Sequence, residues 1–286
     1  MKNSQLGGFV AVMILMLAGV SVGTAQRPAM LKRTITKTDR FDFGAGGTVT
    51  ITGAPTGSIR VVGSPKNEIE ITAEIELQAG TEADLAKLAE VTGFVTEESP
   101  GRTGIVTIGT HNKIGLKSLP KKFPKNLLGL PFTINYVINV PRYCDLEIDG
   151  GKGDLSISGV EGTMQINFLE TKAKIEVISG PVVATIAAGS VEVAIGTHGW
   201  RPRTANIKVA SGDLTVRLPA NMSAEIDATI LKTGKIENML ADLKPRDRKM
   251  PFTDKSILAK ANVGGAALNF TVGDGTLTLK NLVLPF

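Results

Sequence analysis

The sequence contains one cysteine, Cys144, and two histidines, His111 and His198, among its 286 residues. A single cysteine excludes an intramolecular disulfide, so the fold must rely on packing and backbone hydrogen bonds. One cysteine and two distant histidines give no zinc-binding pattern. Two glycine-lysine segments, GGKGD (150–154) and TGK (233–235), lack the full spacing of a phosphate loop. We therefore predict no catalytic residue, no metal site and no cofactor.

Aromatic residues make up only 5% of the sequence, and the net charge of +5 is small for a chain of this length. Nucleic-acid-binding proteins usually combine a broad basic face with aromatic side chains on which bases stack. Because both are scarce here, we predict no nucleic-acid partner. The basic residues are concentrated locally instead, since 111–126 contains five lysines and no acidic residue.

The first 25 residues have the features of a secretory signal peptide. Lys2 supplies a positive charge, residues 9–18 are uniformly apolar, and Gly23 and Ala25 place small residues before a cleavage point at Gln26. The apolar run is shorter than the ~20 residues of a membrane-spanning helix, although a retained anchor is the alternative. We expect an exported protein in the periplasm, at the cell surface or in the medium.

The rest of the sequence alternates apolar and polar residues with a period of two, as half-buried β-strands do. In EIEITAEIEL (68–77), every second residue is apolar and the residues between them are Glu or Thr. The same alternation predicts further short strands at 48–51, 58–62, 132–140, 145–149, 154–158, 163–167, 174–178, 190–195, 206–210, 213–218, 224–228 and 276–284.

Many of these strands follow a glycine, and the glycines recur at short intervals. Gly47 and Gly57 are ten residues apart, and Gly153 and Gly162 are nine apart. Strands of about five residues with small-residue turns at such spacing indicate a repetitive all-β fold. Since one segment cannot bury its apolar face alone, we predict a β-solenoid (β-helix) in which stacked rungs share a core.

One helix is predicted at 81–91. Thr81 and Asp84 form an N-terminal capping pattern, and Leu85 and Leu88 repeat on one side, which indicates a short helix that caps an open end of the coil. The predicted organisation is a signal peptide (1–25), an N-terminal β part with the helix (26–109), a basic Pro/Gly loop (110–131) and the main β-solenoid domain (132–286).

Four segments together resemble a known family. They are GGTVTITGAPTGSIRVVGSPKNEIEITAEI (46–75), YVINVPRYCDLEIDGGKGDLSISGVEGTMQIN (136–167), IKVASGDLTVRLPANMSAEIDATILKTGKI (207–236) and GGAALNFTVGDGTLTLKNL (264–282). In order and pattern they are similar to the putative adhesin domain of bacterial exported proteins, a group close to the auto-transporter adhesin head (GIN) domain. The resemblance implies a β-solenoid outside the cytoplasm and supplies no catalytic residues. The chain departs from the pattern at 110–131 and 240–255.

Two clusters are candidate binding sites. Trp200, with Arg201 and Arg203, could hold an anionic or sugar ligand by stacking and charge; the alternative is a loop whose Trp covers the core. The basic loop places lysines next to the apolar segment 127–132, which favours contact with an anionic membrane or lipopolysaccharide surface; the alternative is a solubilising loop. Its lysines are Lys113, Lys117, Lys121, Lys122 and Lys125.

Asp145, Glu147 and Asp149 share one face of a predicted strand. They could bind a cation or cleave a glycan, or they could form a solvated face neutralised by Lys172 or Lys174. We predict a non-enzymatic, adhesin-like β-solenoid that binds or scaffolds at the cell envelope. Its partners would be an envelope glycan, lipopolysaccharide, an anionic membrane surface or another protein, including a second copy. The alternatives are a carbohydrate-active β-helix enzyme and a periplasmic lipid-handling scaffold.

Overall fold

Alternating apolar residues form strands throughout the computed structural model, which describes residues 30–111, 123–196 and 204–283. The strands are β1 (Leu31–Asp42), β2 (Thr48–Thr52), β3 (Ile59–Ser64), β4 (Glu68–Ala79), β5 (Gly93–Ser99), β6 (Arg102–Ile108), β7 (Phe132–Pro141), β8 (Asp145–Lys152), β9 (Leu155–Ser158), β10 (Met164–Val177), β11 (Pro181–Ile195), β12 (Thr204–Leu218), β13 (Ala224–Ile230), β14 (Gly234–Asn238), β15 (Lys244–Pro245), β16 (Ser256–Ala261) and β17 (Ala266–Asn281). One α-helix, α1 (Glu82–Val91), and a 3-10 helix, Lys125–Leu127, complete the described elements. The fold is therefore all-β with one short α-helix.

All 17 strands belong to one hydrogen-bonded network that does not close. Four long strands, β10, β11, β12 and β17, bend in the middle, so the residues before and after each bend lie in different layers. Layer 1 has the order β5-β6-β2-β8-β10-β11-β12-β17-β13-β16-β15. Layer 2 has the order β1-β4-β7-β3-β9-β10-β11-β12-β17-β14.

Neighbouring strands are parallel through the middle of both layers, and antiparallel at both ends of layer 1 and at the β1 end of layer 2. In layer 2 the antiparallel pairs are β1–β4 and β4–β7. In layer 1 they are β5–β6, β13–β16 and β15–β16. Strands from 26–109 pair directly with strands from 132–286, because β2 lies beside β8 and β3 beside β9.

The core lies between the two layers and contains residues from both sides of each bend. In β10, for example, Ile166 before the bend and Ile175 after it are both buried in the same cluster. The alternation predicted for 68–77 is confirmed, because every second residue of β4 from Ile69 to Ala79 is buried and the Glu and Thr side chains face outward. A period of two thus decides which side chains enter the core.

Glycines form a column along the bends of the stacked strands, interrupted in β10, where Thr171 aligns with Gly189 of β11. Gly212 has φ +124°, and a Cβ added there would lie only 1.8 Å from the Gly189 carbonyl oxygen. Both the backbone angle and the close approach of neighbouring chains therefore require glycine at this position. The column also contains Gly57, Gly153, Gly189, Gly275 and Gly234.

The helix predicted at 81–91 is confirmed. α1 begins after Thr81, whose hydroxyl accepts a hydrogen bond from the Asp84 backbone N–H at 3.1 Å. Leu85 and Leu88 are buried, and the helix contacts β4 and β1 at the end of layer 2. It connects the last strands of layer 2 to β5 in layer 1.

Several predicted strand boundaries were wrong. The predicted strands 163–167 and 174–178 are one bent strand, β10, and 206–210 and 213–218 are one bent strand, β12. Gly212 lies at the bend of β12, whereas β10 bends without a glycine and has Thr171 at the position that aligns with Gly189 of β11. The alternation did not predict β1, β5, β6, β14 or β16.

The C-terminal strand does not lie at the end of the stack. β17 lies between β12 and β13, pairing in parallel with both. The strand that follows β12 in sequence, β13, is therefore not its neighbour in layer 1. The last strand, β17, occupies the position between them. None of the helices in the described ranges is long and apolar enough to cross a membrane. The predicted signal peptide, 1–25, lies outside the described residues.

Candidate functional site

Most of the predicted binding residues lie outside the described part of the chain. This holds for the aromatic–basic cluster, Trp200, Arg201 and Arg203, and for four loop lysines, Lys113, Lys117, Lys121 and Lys122. Lys125 is described; it is exposed at the start of the 3-10 helix. Beside it, Leu127 is buried and Leu128 is 41% exposed. Basic and apolar side chains are therefore adjacent at this one point of the predicted loop site.

The three acids of β8 are held by neighbouring groups. The Asp145 carboxylate accepts the Thr163 backbone N–H at 2.6 Å, and Asp149 accepts the Asn167 side-chain amide at 2.9 Å. Glu147 forms a two-point ion pair with the Arg102 guanidinium. The acidic side chains thus form ordered links on the outer face of layer 1.

The prediction that Lys172 or Lys174 neutralises these acids was wrong. Both lysines follow the bend of β10 and lie in layer 2, whereas the acids lie in layer 1. The partner of Glu147 comes from β6, on the far side of β2. The prediction treated each short strand separately and placed the acids and these lysines on one face. The bend in β10 puts them in different layers.

Three titratable groups, two of them buried and His111 half-buried, are desolvated by the surrounding protein. Burial raises the pKa of the Cys144 thiol to about 12. Burial also raises the pKa of Tyr136 to about 12, and its hydroxyl lies 2.8 Å from that of Thr107. Desolvation lowers the pKa of His111, whose ring lies 5.0 Å from the Phe132 ring. A thiol with so high a pKa is a poor nucleophile, and it packs as a small apolar residue.

Within the described ranges, no group of three or more His, Cys, Asp or Glu side chains could hold a metal ion.

Sequence reasoning missed a groove on the outer side of the bends. At each bend the register passes over one residue at the same level of the stack: Leu169 in β10, Ala187 in β11, Ala210 in β12 and Gly273 in β17. The first three are exposed on the outer side, and Gly273 is buried beside them. Leu231 lies level with Gly273, because its backbone N–H bonds to the Val272 carbonyl at 2.9 Å. We call this feature the bend groove; its volume is about 580 Å³.

The bend groove has an apolar floor between two protruding leucines. Ala187, Ala210 and Gly273 form the floor, and Leu169 and Leu231 at the ends are 63% and 66% exposed. Four strand spacings separate the two leucines, which corresponds to about 19 Å. A slender apolar chain therefore fits the groove along the stacking direction.

Charged residues border the groove asymmetrically. Lys232 lies at the end of the groove next to Leu231, Lys208 lies on the middle strand β12, and Asp149 lies at the Leu169 end. Lys208 is exposed, and the Lys232 ammonium is 3.6 Å from the Asp274 carboxylate. An elongated anionic ligand would thus meet one ammonium group at the middle of the groove and another at the Leu231 end.

A sequence signal for the groove does exist. The segments IAAGS (186–190), VASGD (209–213) and VGDGT (272–276) share an apolar residue, a small residue and then, two positions later, the bend glycine. The small residue in each segment is a floor residue. An alignment of the repeats on their glycines would have identified these positions, but it could not have shown that they form one surface.

A second, smaller cavity of about 180 Å³ lies where β12 and β17 end. Leu218, Met222, Leu240 and Leu243 are among its lining residues. The segment 239–243 folds over the end of the core here. This cavity is a consequence of how the chain closes that end of the stack.

No family model matches the chain, and no curated protein sequence matches it. Among solved structures, it is similar to a putative cell adhesion protein from Clostridium sporogenes, with 14% identity, a TM-score of 0.48, and coverage of 87% of this chain and 100% of that one. It is also similar to a putative adhesin from Bacteroides fragilis, with 14% identity, a TM-score of 0.22 and coverage of 87% and 97%. A third is a putative lipid binding protein from Parabacteroides distasonis, with 12% identity, a TM-score of 0.25 and coverage of 87% and 97%.

Proposed function

We propose that this chain is an exported, non-enzymatic β-solenoid that binds an anionic amphiphile of the bacterial cell envelope. The solenoid description rests on the parallel stacking of β8–β9, β10, β11, β12 and β17, each of which contributes to both layers. Export rests on the predicted signal peptide. The equivalent bend positions of successive strands lie side by side, so together they form one continuous surface.

The bend groove is the observation that carries the binding role. It combines an apolar floor, two exposed leucines and two lysines, Lys208 at its middle and Lys232 at one end. Exposed apolar patches bordered by polar groups commonly mark ligand or membrane contacts. An acyl chain would cover Leu169 and Leu231, and anionic groups of the amphiphile would lie beside Lys232 at the end or Lys208 at the middle of the groove. Phospholipids and lipopolysaccharide both have this chemistry.

The non-enzymatic part of the proposal is supported by how the three acids of β8 are engaged. Each of Asp145, Glu147 and Asp149 already accepts a hydrogen bond or ion pair from the protein. The carbohydrate-active alternative requires at least one of them to act on a glycan. Hydrolysis of an envelope glycan that is lost in Glu147→Gln would contradict the proposal.

The first experiment is co-sedimentation of the mature chain, 26–286, with liposomes of anionic phospholipid, with lipopolysaccharide and with peptidoglycan, at low and high salt. We expect salt-sensitive binding to liposomes or lipopolysaccharide, because salt screens the lysine charges. Replacing Ala187 with Trp should fill the groove and abolish binding. Ala267→Trp is the matched control, since Ala267 is also exposed on a layer 1 strand, outside the groove.

The charge contribution is tested by Lys208→Gln with Lys232→Gln. The matched control is Lys244→Gln with Lys249→Gln, which removes the same charge from exposed residues elsewhere. Binding that depends on Lys113, Lys117, Lys121, Lys122 and Lys125, and not on the groove, would assign the contact to the basic loop. Binding to none of the three materials would overturn the proposal.

A further inference from the structure

β1 is a long strand with one unpaired edge at the end of layer 2. It spans 12 residues, Leu31–Asp42, and each of them aligns with a residue of β4. Among the described strands, β4 is the one whose register includes β1, so none pairs with the other edge of β1. Such a row of backbone N–H and C=O groups is a template for pairing with another strand.

The hydrogen-bond phase of β1 shows which residues face the free edge. Phe43 donates its backbone N–H to the Asn67 carbonyl at 3.0 Å, in the same register as the β1–β4 pairs. In an antiparallel pair, alternate residues bond to the partner strand. The odd-numbered residues of β1 therefore bond to β4, and the even-numbered residues direct their backbone groups to the free edge.

The even-numbered residues of β1 form a symmetric set. Thr34, Thr36 and Thr38 occupy the centre, with Lys32 and Arg40 on either side. The N–H of Arg40 is already bonded to the Asp39 carboxylate at 2.8 Å. The three threonines, which have high β-propensity and short side chains, therefore present the continuous part of the free edge.

The odd-numbered residues, on the inner face, are also placed symmetrically about Thr36. Arg33 and Asp39 are each three positions from it, and Leu31 and Phe41 are each five positions away. Leu31 is 41% exposed, and Phe41 is partly buried against the core. An antiparallel copy of β1 centred on Thr36 would therefore oppose basic to acidic and apolar to apolar residues at these four positions. Between them, Ile35 would lie opposite Lys37.

We propose that two copies of this chain associate through β1, in antiparallel pairing about a two-fold axis at Thr36. Thr36 pairs with Thr36 of the second copy, and Thr34 with Thr38 of the second copy. On the inner face, Arg33 lies opposite Asp39 of the second copy, and Leu31 lies opposite Phe41. Layer 2 then continues across both molecules, and the interface is isologous.

The charges of β1 select this register over its neighbours. Centring the axis on Lys37 would place Lys37 opposite Lys37 of the second copy. Centring it on Ile35 would place Arg33 opposite Lys37. Like charges directly opposite each other on paired strands are destabilising. Only the axis at Thr36 opposes Arg33 to an acidic residue among these three choices.

The outer face tolerates the remaining like-charge pair. In the Thr36 register, Lys32 lies opposite Arg40 of the second copy. Within one molecule, the Lys32 ammonium is 2.9 Å from Glu76, and Arg40 forms an ion pair with Glu68. These carboxylates from β4 offset the repulsion between the two basic side chains.

Sedimentation velocity of the mature chain, 26–286, over a range of concentrations tests the proposal. A contact along one strand edge buries little surface, so we expect a reversible monomer–dimer equilibrium in the micromolar range. A chain that stays monomeric over the whole range up to about 0.5 mM, far above a micromolar Kd, would overturn the proposal. This measurement is independent of ligand binding at the bend groove.

Thr36→Pro should weaken the dimer at least about tenfold. The N–H that proline removes faces the free edge, so the β1–β4 hydrogen bonds remain, and proline is tolerated in this position of an edge strand. Thr36→Val is the matched control and should dimerise as the parent does. A dimer unaffected by Thr36→Pro, in a variant that keeps the parent's circular dichroism, would assign the association to another surface.

A charge exchange tests the register itself. In its own dimer, Arg33→Glu should place two acidic side chains opposite each other, and Asp39→Arg should place two basic side chains opposite each other. Each variant alone should therefore be monomeric. Mixed together, the two variants restore opposite charges at both positions and should form a heterodimer. If the mixture stays monomeric while the parent dimerises, the Thr36 register is wrong.

Discussion

The parallel middle of the molecule and its antiparallel N-terminal end bury their apolar residues with different strand arrangements. In the middle, β10, β11 and β12 repeat one bent shape, and each lies directly on the next in register. At the N-terminal end, β1, β4 and β7 run antiparallel, and α1 packs against the first two of them. Both regions bury alternate residues, but only the middle repeats its backbone path.

Because the backbone path repeats in the middle region, substitutions of the glycines at its bends should reduce stability. Where identical bends stack, the carbonyl of one strand lies where a Cβ of the next would be, as at Gly212 and Gly189. The N-terminal end has no such repeat at Gly80, where an added Cβ meets nothing within 4 Å. The comparison predicts that backbone substitutions are costly in the middle and that the end depends more on side chains.

The largest expected effect is that of Gly212→Ala. The positive φ and the clash with the Gly189 carbonyl should together destabilise the fold by at least about 3 kcal/mol. Gly80→Ala, the matched control, should change stability by less than about 1 kcal/mol. Urea unfolding followed by circular dichroism measures both. Equal effects of the two substitutions would show that the bends are not the sensitive feature.

A smaller difference is expected between core positions of the two regions. Ile207 is fully buried in β12, and Ile35 is half-buried in the edge strand β1. Ile207→Ala should cost about 2–5 kcal/mol because it leaves a cavity, whereas Ile35→Ala should cost about 1 kcal/mol. The free energy of unfolding from denaturant titration is the measurement. A larger cost at Ile35 would mean that β1 is anchored more firmly than its exposure indicates.

The smallest effect concerns the acidic outer face of β4. Hydrogen bonds from Lys66 and Arg40 hold the pKa of Glu68 below its ordinary value. A carboxyl with a lowered folded-state pKa stabilises the fold above its unfolded pKa, and this contribution is lost as pH falls through the folded pKa. Glu68→Gln should therefore reduce stability at pH 7 and reduce the loss of stability between about pH 5 and pH 3.

Glu74→Gln is the control for this charge effect. Glu74 lies on the same outer face of β4 and is exposed. It should change the pH dependence less than Glu68→Gln does. Thermal unfolding midpoints at pH 7, 5, 4 and 3 make the comparison, and identical profiles for the two variants would remove the assigned role of Lys66 and Arg40.

Residue patterns predicted some features of the fold and of the candidate sites but not others. The alternation in 68–77 predicted the buried face of β4, and Thr81 with Asp84 predicted the start of α1. The same reasoning placed Lys172 and Lys174 beside the acids of β8, because it treated each short strand as a separate unit. It overlooked β1 because Arg33, Lys37 and Asp39 interrupt the apolar face; these charges are tolerated at an edge, where burial is incomplete.

The bend groove could not have been predicted as a surface for a similar reason. Ala187, Ala210 and Gly273 are ordinary small residues in the sequence, separated by 23 and then 63 positions. They become one floor because β17 lies directly beside β12. Only the stacking order brings them together with Leu231 and Lys208.

Local residue patterns were sufficient to establish that the chain is all-β, because a period of two and recurrent glycines permit few other structures. They were also sufficient to locate the start of the helix and the buried side of β4, since these depend on neighbouring residues. Which strands pair, and that β17 lies between β12 and β13, became known only from the three-dimensional arrangement. Bent strands with similar sequence patterns can stack on one another in several orders. Which order forms depends on contacts between residues distant in sequence.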